Sequence, residues 1–190
     1  MTREEVLEIF PEIKLIHSEE LREKSIRCWQ DVITLGGWDR KGIENAPLGV
    51  GYVSDDCPER GIDHCRRVVR CCKVMWDELN EYANAVSHLD YDLLMTGAVL
   101  HDIGKFVCYD KVDGKGTHTK IGEQFNHVTV GAYIAKKNEL PDDVVYIILQ
   151  HSDNESPGGA NAKDTPELLT LKRVDLLCFR LAADQYPAKK

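Results

Sequence analysis

The chain has 190 residues, 43% hydrophobic and 29% charged, which fits one globular domain and excludes a disordered polymer. No apolar run approaches the roughly 18 residues of a membrane span, and Met1-Thr2-Arg3-Glu4-Glu5-Val6 lacks the apolar stretch of a secretory signal, so a cytoplasmic protein with no membrane partner is expected. A formal charge of −8 argues against broad nucleic-acid binding, which calls for a basic face, but not against a small anionic substrate.

The seven cysteines (Cys28, Cys57, Cys65, Cys71, Cys72, Cys108 and Cys178) are odd in number and include no C-x-x-C. Most are therefore read as buried small apolar side chains, not as a disulfide framework or zinc ribbon.

In chain order the sequence reads as helices joined by loops, with no convincing alternating strand pattern. Thr2-Arg3-Glu4-Glu5 has the form of a capping box opening a short helix. A second helix is predicted from Ser18 to Leu35, ended by Gly36-Gly37. Residues 36–61, rich in Gly and Pro, read as a long surface connection that packs over the site, with Trp38 a candidate pocket residue. Asp63 is a candidate cap for a helix whose face carries Cys65, Val68, Val69, Cys72, Met75, Trp76 and Leu79. Asp90 caps a strongly apolar helix that arrives at His101. Asn126 caps a helix over Val128 to Lys137, and Leu140-Pro141-Asp142-Asp143 starts another, with proline in the first turn, leading to His151. Thr165-Pro166-Glu167 starts the last helix, which carries Asp175 among apolar neighbours. The stretches 107–125 and 152–164 read as loops, the second flexible enough around Glu155-Ser156-Pro157-Gly158-Gly159-Ala160-Asn161 to act as a lid or a plain linker.

The densest chemical signal is Val99-Leu100-His101-Asp102-Ile103-Gly104-Lys105. An imidazole and a carboxylate are costly at the end of an apolar helix unless they ligate a metal or neutralise each other. Gly104 is read as permitting a sharp turn, and Lys105 as placing a positive charge beside the site. Alone, the pair is equally well a capped helix end with a hydrogen-bonded core histidine. His64, His127 and His151 at helix termini, and Asp175 inside an apolar helix, each have an ordinary reading too, as a cap neighbour, a dipole partner or an ion pair. Together they occupy positions from which side chains of different helices meet inside a bundle.

The ordered set His64, His101-Asp102 and Asp175 resembles the signature of the HD-domain superfamily of metal-dependent phosphohydrolases, and His-Asp-Ile-Gly-Lys at 101–105 is similar to its central motif. His127 and His151 look like the further ligands of its two-metal members, although His151 is followed by Ser152 where many of those carry a second histidine. The likeness covers roughly residues 60–180 and implies an all-α, HD-type helical bundle over 60–183; residues 1–59, outside it, read as N-terminal helices and a long loop packing on that core, and 184–190 as a tail. It implies that His64, His101, Asp102 and Asp175 hold one divalent metal and that Asp102, His127 and His151 hold a second, Asp102 bridging. Such an imidazole and carboxylate set suits Mn, Fe, Co, Ni or Zn better than Ca.

The expected activity is hydrolysis of a phosphate ester in a nucleotide or another small phosphorylated metabolite. Asp102 and Lys105 would carry the catalysis, with Lys105, His118 and Lys120 meeting the substrate. Two alternatives stand beside it: a di-iron oxygenase of the same fold that cleaves a small organic substrate, and a non-catalytic ligand-binding regulatory module. The sequence leaves a homo-oligomer open.

Overall fold

The computed structural model describes residues 1–86, 88–157 and 162–188, with residues 83–86 described by their backbone alone. Ser87, the segment 158–161 within the expected lid, and the last two residues of the tail lie outside the described residues.

The chain folds as a helical bundle. Helix α1 (Arg3–Ile9) opens on the expected capping box: Glu5 N–H donates to Thr2 Oγ1 at 3.2 Å and Thr2 N–H to Glu5 Oε2 at 2.7 Å. A 3-10 turn (Pro11–Leu15) leads to α2 (Glu19–Leu35), capped by Ser18 and ended where Gly37 takes a φ of 68°. After α3 (Arg40–Glu44) come the long α4 (Gly61–Val86) and α5 (Tyr91–Leu100), the latter capped by Asp90. Beyond α6 (Lys105–Cys108) a hairpin pairs β1 (Tyr109–Val112) with β2 (Lys115–His118), followed by α7 (Lys120–Gln124), α8 (His127–Lys137), α9 (Asp142–Gln150) and α10 (Pro166–Ala183).

Helix α5 is the axis of the bundle. Every residue from Leu94 to Leu100 is buried, because the helix is apolar on all sides and packs against α2, α4, α9 and α10. Burying that surface drives the fold and fixes the direction in which α5 delivers the His101-Asp102 pair at its end. The same hydrophobic cluster runs from Val6 to Cys178, so the N-terminal helices share the core of the HD-like bundle.

Several local expectations are corrected. Residues 36–61 are not simply a surface connection: they contain α3 and bury Ile43, Ala46, Leu48, Val53 and Cys57. Their outer part forms a small second cluster with Ala182, held by a bridge between Val53 and Pro187. Trp38 turns away from the site and donates its Nε1–H to the Phe106 carbonyl at 2.6 Å. Asp63 is not the cap of α4 but lies in its first turn, where its carboxylate accepts from the Arg60 N–H at 3.2 Å. The apolar face of α4 is buried through Cys72 and is then half-covered or exposed at Met75, Trp76 and Leu79, where the helix outruns its neighbours. Pro141 sits at the N-cap of α9, one residue earlier than expected.

The hairpin was hidden within the expected loop at 107–125. Its strands, YDKV and KGTH, are too short and polar to alternate clearly. The loop reading passed over its one sequence signal, the Asp113-Gly114 pair: both residues take positive φ (50° and 79°), as a two-residue primed turn requires. None of the seven cysteines is in a disulfide, and all are buried except the half-buried Cys71.

Candidate metal centre

Five helices bring six side chains to one point. His64 comes from the first turn of α4, His101 and Asp102 from the end of α5, His127 from the start of α8, His151 from the end of α9 and Asp175 from the middle of α10. All are buried except Asp175, whose side chain is partly open to the cavity. Their donor atoms form two sets, His64/His101/Asp102/Asp175 and Asp102/His127/His151, with the atoms of each set within 4.8 Å of one another.

Asp102 belongs to both sets and divides its oxygens between them. Oδ2 faces His64 Nε2 and His101 Nε2, each at 3.4 Å, while Oδ1 faces His127 Nε2 at 3.2 Å and His151 Nε2 at 3.4 Å. Asp175 Oδ1 completes the first set at 2.9 Å from His64 Nε2 and 3.7 Å from His101 Nε2.

The outer ring nitrogens fix how these imidazoles are presented. His101 Nδ1–H donates to the Ala98 carbonyl and His151 Nδ1–H to the Ile148 carbonyl, both at 2.8 Å and both one turn back in the same helix. A carbonyl can only accept, so the hydrogen sits on Nδ1 and each neutral ring turns a bare Nε2 inward. His127 Nδ1 meets Glu155 Oε2 at 2.8 Å with the same result. Lone pairs of nitrogen and carboxylate oxygen thus converge in a buried space, where His101 Nε2 and Asp102 Oδ1 have no hydrogen-bond partner among the described residues. Such a group of acceptors needs protons or a cation between them, and the donor types fit a first-row divalent ion.

The titration behaviour carries the same signature. Burial works against the charge on His101, but the Asp102 carboxylate prevails and pushes the imidazole up to about 10. His64 and His127 are also raised, against burial, His64 by the Asp102 and Asp175 carboxylates and His127 by those of Asp102 and Glu155. Asp102 and Asp175 are held well below the usual carboxylate range despite burial, Asp102 chiefly by Lys105 and His101 and Asp175 by His101 and His64. His151 is the exception: burial, aided by the charge on His101, pushes it down.

Gly104 is needed for a different reason from the one expected. Its backbone is ordinary right-handed helical (φ −65°, ψ −23°), so no unusual turn requires glycine. A Cβ there would lie 2.0 Å from the His127 carbonyl oxygen and 2.8 Å from Gly131 N. The missing side chain lets the His101-Asp102 turn press against the start of α8, which brings His127 within reach of Asp102.

Lys105 lies one turn beyond Asp102, its Nζ 2.7 Å from Asp102 Oδ2 and 5.6 Å from the centre of the Phe179 ring. It lines a cavity of about 300 Å³ that opens onto the centre, with Tyr52, Tyr109, Phe179 and Glu155 among its other walls. The two remaining substrate candidates lie elsewhere. His118 is exposed in a neighbouring cleft, its ring centre 5.2 Å from that of Tyr109, and Lys120 starts α7 in solvent and lines neither cleft. Sequence reasoning did not single out Tyr52, Tyr109, Phe179 or Glu155 as site residues. Phe179 had a readable signal, one turn after Asp175 on the same helix, and Glu155 and Tyr52 stand in stretches read only as a lid or linker and as a connection over the site.

The sequence profile of the family described as HD domain matches residues 61–179, a span holding all six candidate ligands and Lys105. The chain belongs to the HD-domain family. A dihydroneopterin 2',3'-cyclic phosphate phosphodiesterase of Methanocaldococcus jannaschii is 32% identical over 154 residues, an alignment covering 77% of this chain and 59% of that protein. The chain therefore spans about three-fifths of that relative's length. No solved structure matches the chain.

Proposed function

We propose that the protein is a metal-dependent phosphohydrolase that cleaves a phosphate ester, a cyclic phosphodiester included, in a small metabolite bearing a planar ring. The observation that carries this reading is the shared carboxylate: Asp102 presents one oxygen to each of two histidine-containing donor sets at the floor of an open cavity. His64, His101, Asp102 and Asp175 would hold one divalent ion, and Asp102, His127 and His151 the other. Bound there, the ions supply Lewis acidity toward a phosphoryl oxygen and a lowered pKa for water at neutral pH.

The protein's own groups suit such a substrate. Lys105 stays charged because the Asp102 carboxylate more than offsets its burial, and it offers a fixed cation to a phosphoryl group. Burial raises the Tyr109 hydroxyl to about 12, so at neutral pH it remains a hydrogen-bond donor. Phe179 runs from the His64 ring outward to Tyr52, with ring centres at 6.3 and 6.4 Å, and the exposed Tyr52 closes an aromatic wall along which a flat ring can lie. The relative's cyclic phosphate substrate supports the phosphodiester end of this range.

The test is a panel of 2',3'-cyclic phosphates and phosphomonoesters offered to protein loaded with Mn²⁺, Fe²⁺ or Co²⁺, read as ring opening or phosphate release. Turnover is expected, and Asp102→Ala should lose both the activity and both ions by elemental analysis. Full metal occupancy in that variant, or oxygen consumption without phosphate chemistry in the native protein, would overturn the reading.

A further inference from the structure

The two donor sets are unequal in charge. The first contains two carboxylates, Asp102 and Asp175, whereas the second contains only its share of Asp102 beside two neutral imidazoles. On its own terms the three-donor set should therefore bind a divalent cation more weakly.

One nearby carboxylate offsets this deficit. Glu155 lies beyond α9, four residues after His151, and its Oε2 accepts from His127 Nδ1 at 2.8 Å. The segment that carries it is fixed at several points. Asn126 Nδ2 donates to the Glu155 carbonyl at 2.6 Å, Ser156 N–H to the Ser152 carbonyl at 2.9 Å, and Lys172 Nζ to Asp153 Oδ1 at 3.0 Å. His101 and His151 take their orientation from backbone carbonyls of their own helices, so His127 is the one candidate ligand among the described residues whose outer nitrogen meets a carboxylate. An imidazole that donates to a carboxylate is a stronger base at its other nitrogen and is held in one orientation.

We propose that Glu155 is a positioning residue for the second metal: it locks His127 with Nε2 turned inward and supplies the negative charge which that donor set lacks. This rests on the two-metal reading of the site. Removing the carboxylate should weaken the second ion selectively, by about 10–100-fold, the usual cost of losing an outer partner of a metal-bound histidine. The first ion, held by residues that do not touch Glu155, should keep its affinity.

The experiment titrates the metal-free protein with Mn²⁺ by calorimetry and with Co²⁺ by visible absorption, in the native protein and in Glu155→Ala, Glu155→Gln and Asp153→Ala. The native protein is expected to bind two ions. Glu155→Ala should bind one as tightly and the other 10–100-fold more weakly, with an altered Co²⁺ spectrum for the second equivalent only. Glu155→Gln, which still accepts a hydrogen bond but carries no charge, should fall between; it also carries the test should the alanine variant fold poorly. Asp153→Ala removes a neighbouring carboxylate while leaving Glu155 and the segment's ties to Asn126 and Ser152 in place, and should bind as the native protein does. Two unchanged affinities in both Glu155 variants would overturn the proposal while leaving the two-metal reading intact. So would an equal loss in Asp153→Ala, or an equal loss at both sites. A native protein that binds fewer than two ions would overturn the two-metal reading itself, and the proposal with it.

Discussion

His151 points a bare Nε2 at Asp102 Oδ1 across 3.4 Å, because its Nδ1–H is committed to the Ile148 carbonyl. Two acceptors therefore face each other in the interior, and burial keeps this imidazole from relieving the conflict by taking up a proton. The other three histidines are driven the opposite way in the absence of metal: neighbouring carboxylates raise them and so favour a proton where an ion would sit.

That contrast sets the pH dependence of metal-free protein. A histidine raised above its ordinary 6.5 stabilises the fold fully below that pH, and the contribution is lost as pH rises through the folded value, about 10 for His101. His64 and His127 act in the same direction, while lowered His151 opposes them by costing stability as pH falls below 6.5. The depressed Asp102 and Asp175 contribute above their ordinary 3.8 and lose it only in stronger acid. With chelator present, the melting temperature should therefore fall as pH is raised from 6.5 toward 10. The gain on adding Mn²⁺ should widen over the same range, since metal no longer competes with protons. Melting curves with and without Mn²⁺ check this; a metal-induced gain that is flat in pH would contradict it.

Gly104 yields a prediction about architecture. Alanine there forces Cβ against the His127 carbonyl at 2.0 Å, and both partners are backbone, so relief requires moving the start of α8 away from the end of α5. Overpacking of this kind costs about 1–3 kcal/mol. Gly104→Ala should lower the melting temperature and also weaken the second ion more than the first, because His127 moves and His64 does not. A variant that melts early but binds both ions normally would show that the close approach serves packing alone.

Much of this centre was legible in the sequence, for a physical reason. His64, His101, His127 and His151 lie at helix ends, where caps such as Asp90 and Asn126 fix the register, and Asp175 stands out as a carboxylate among apolar neighbours. Helical spacing and the resemblance together were enough to gather them. The walls were not legible. Glu155 reaches His127 from an irregular segment with no period, and Tyr52 reaches the cavity from a stretch whose folding depends on a small cluster with Ala182 near the other end of the chain. Lys120 was placed near the site by sequence proximity, but the hairpin turn at Asp113-Gly114 and the start of α7 carry it into solvent.

Lys105 remains the candidate for charge stabilisation, and its geometry separates that role from metal binding. It follows Asp102 by three residues, so one helical turn places its ammonium beside Oδ2, while its contact with the Phe179 ring keeps it at the cavity wall. Lys105→Met keeps the length of the side chain and removes the cation. If the ammonium serves the phosphoryl group, kcat should fall by about 100–1000-fold, the range seen when one preorganised donor is lost. Metal content should be undiminished, since the lysine is no ligand and its charge opposes a cation at Asp102. Lys105→Arg, which restores the charge with a different shape, should recover part of the rate. Steady-state kinetics with metal analysis on the same samples decides it: an unchanged kcat removes Lys105 from catalysis, and a loss of metal in step with the rate makes it a structural partner of Asp102.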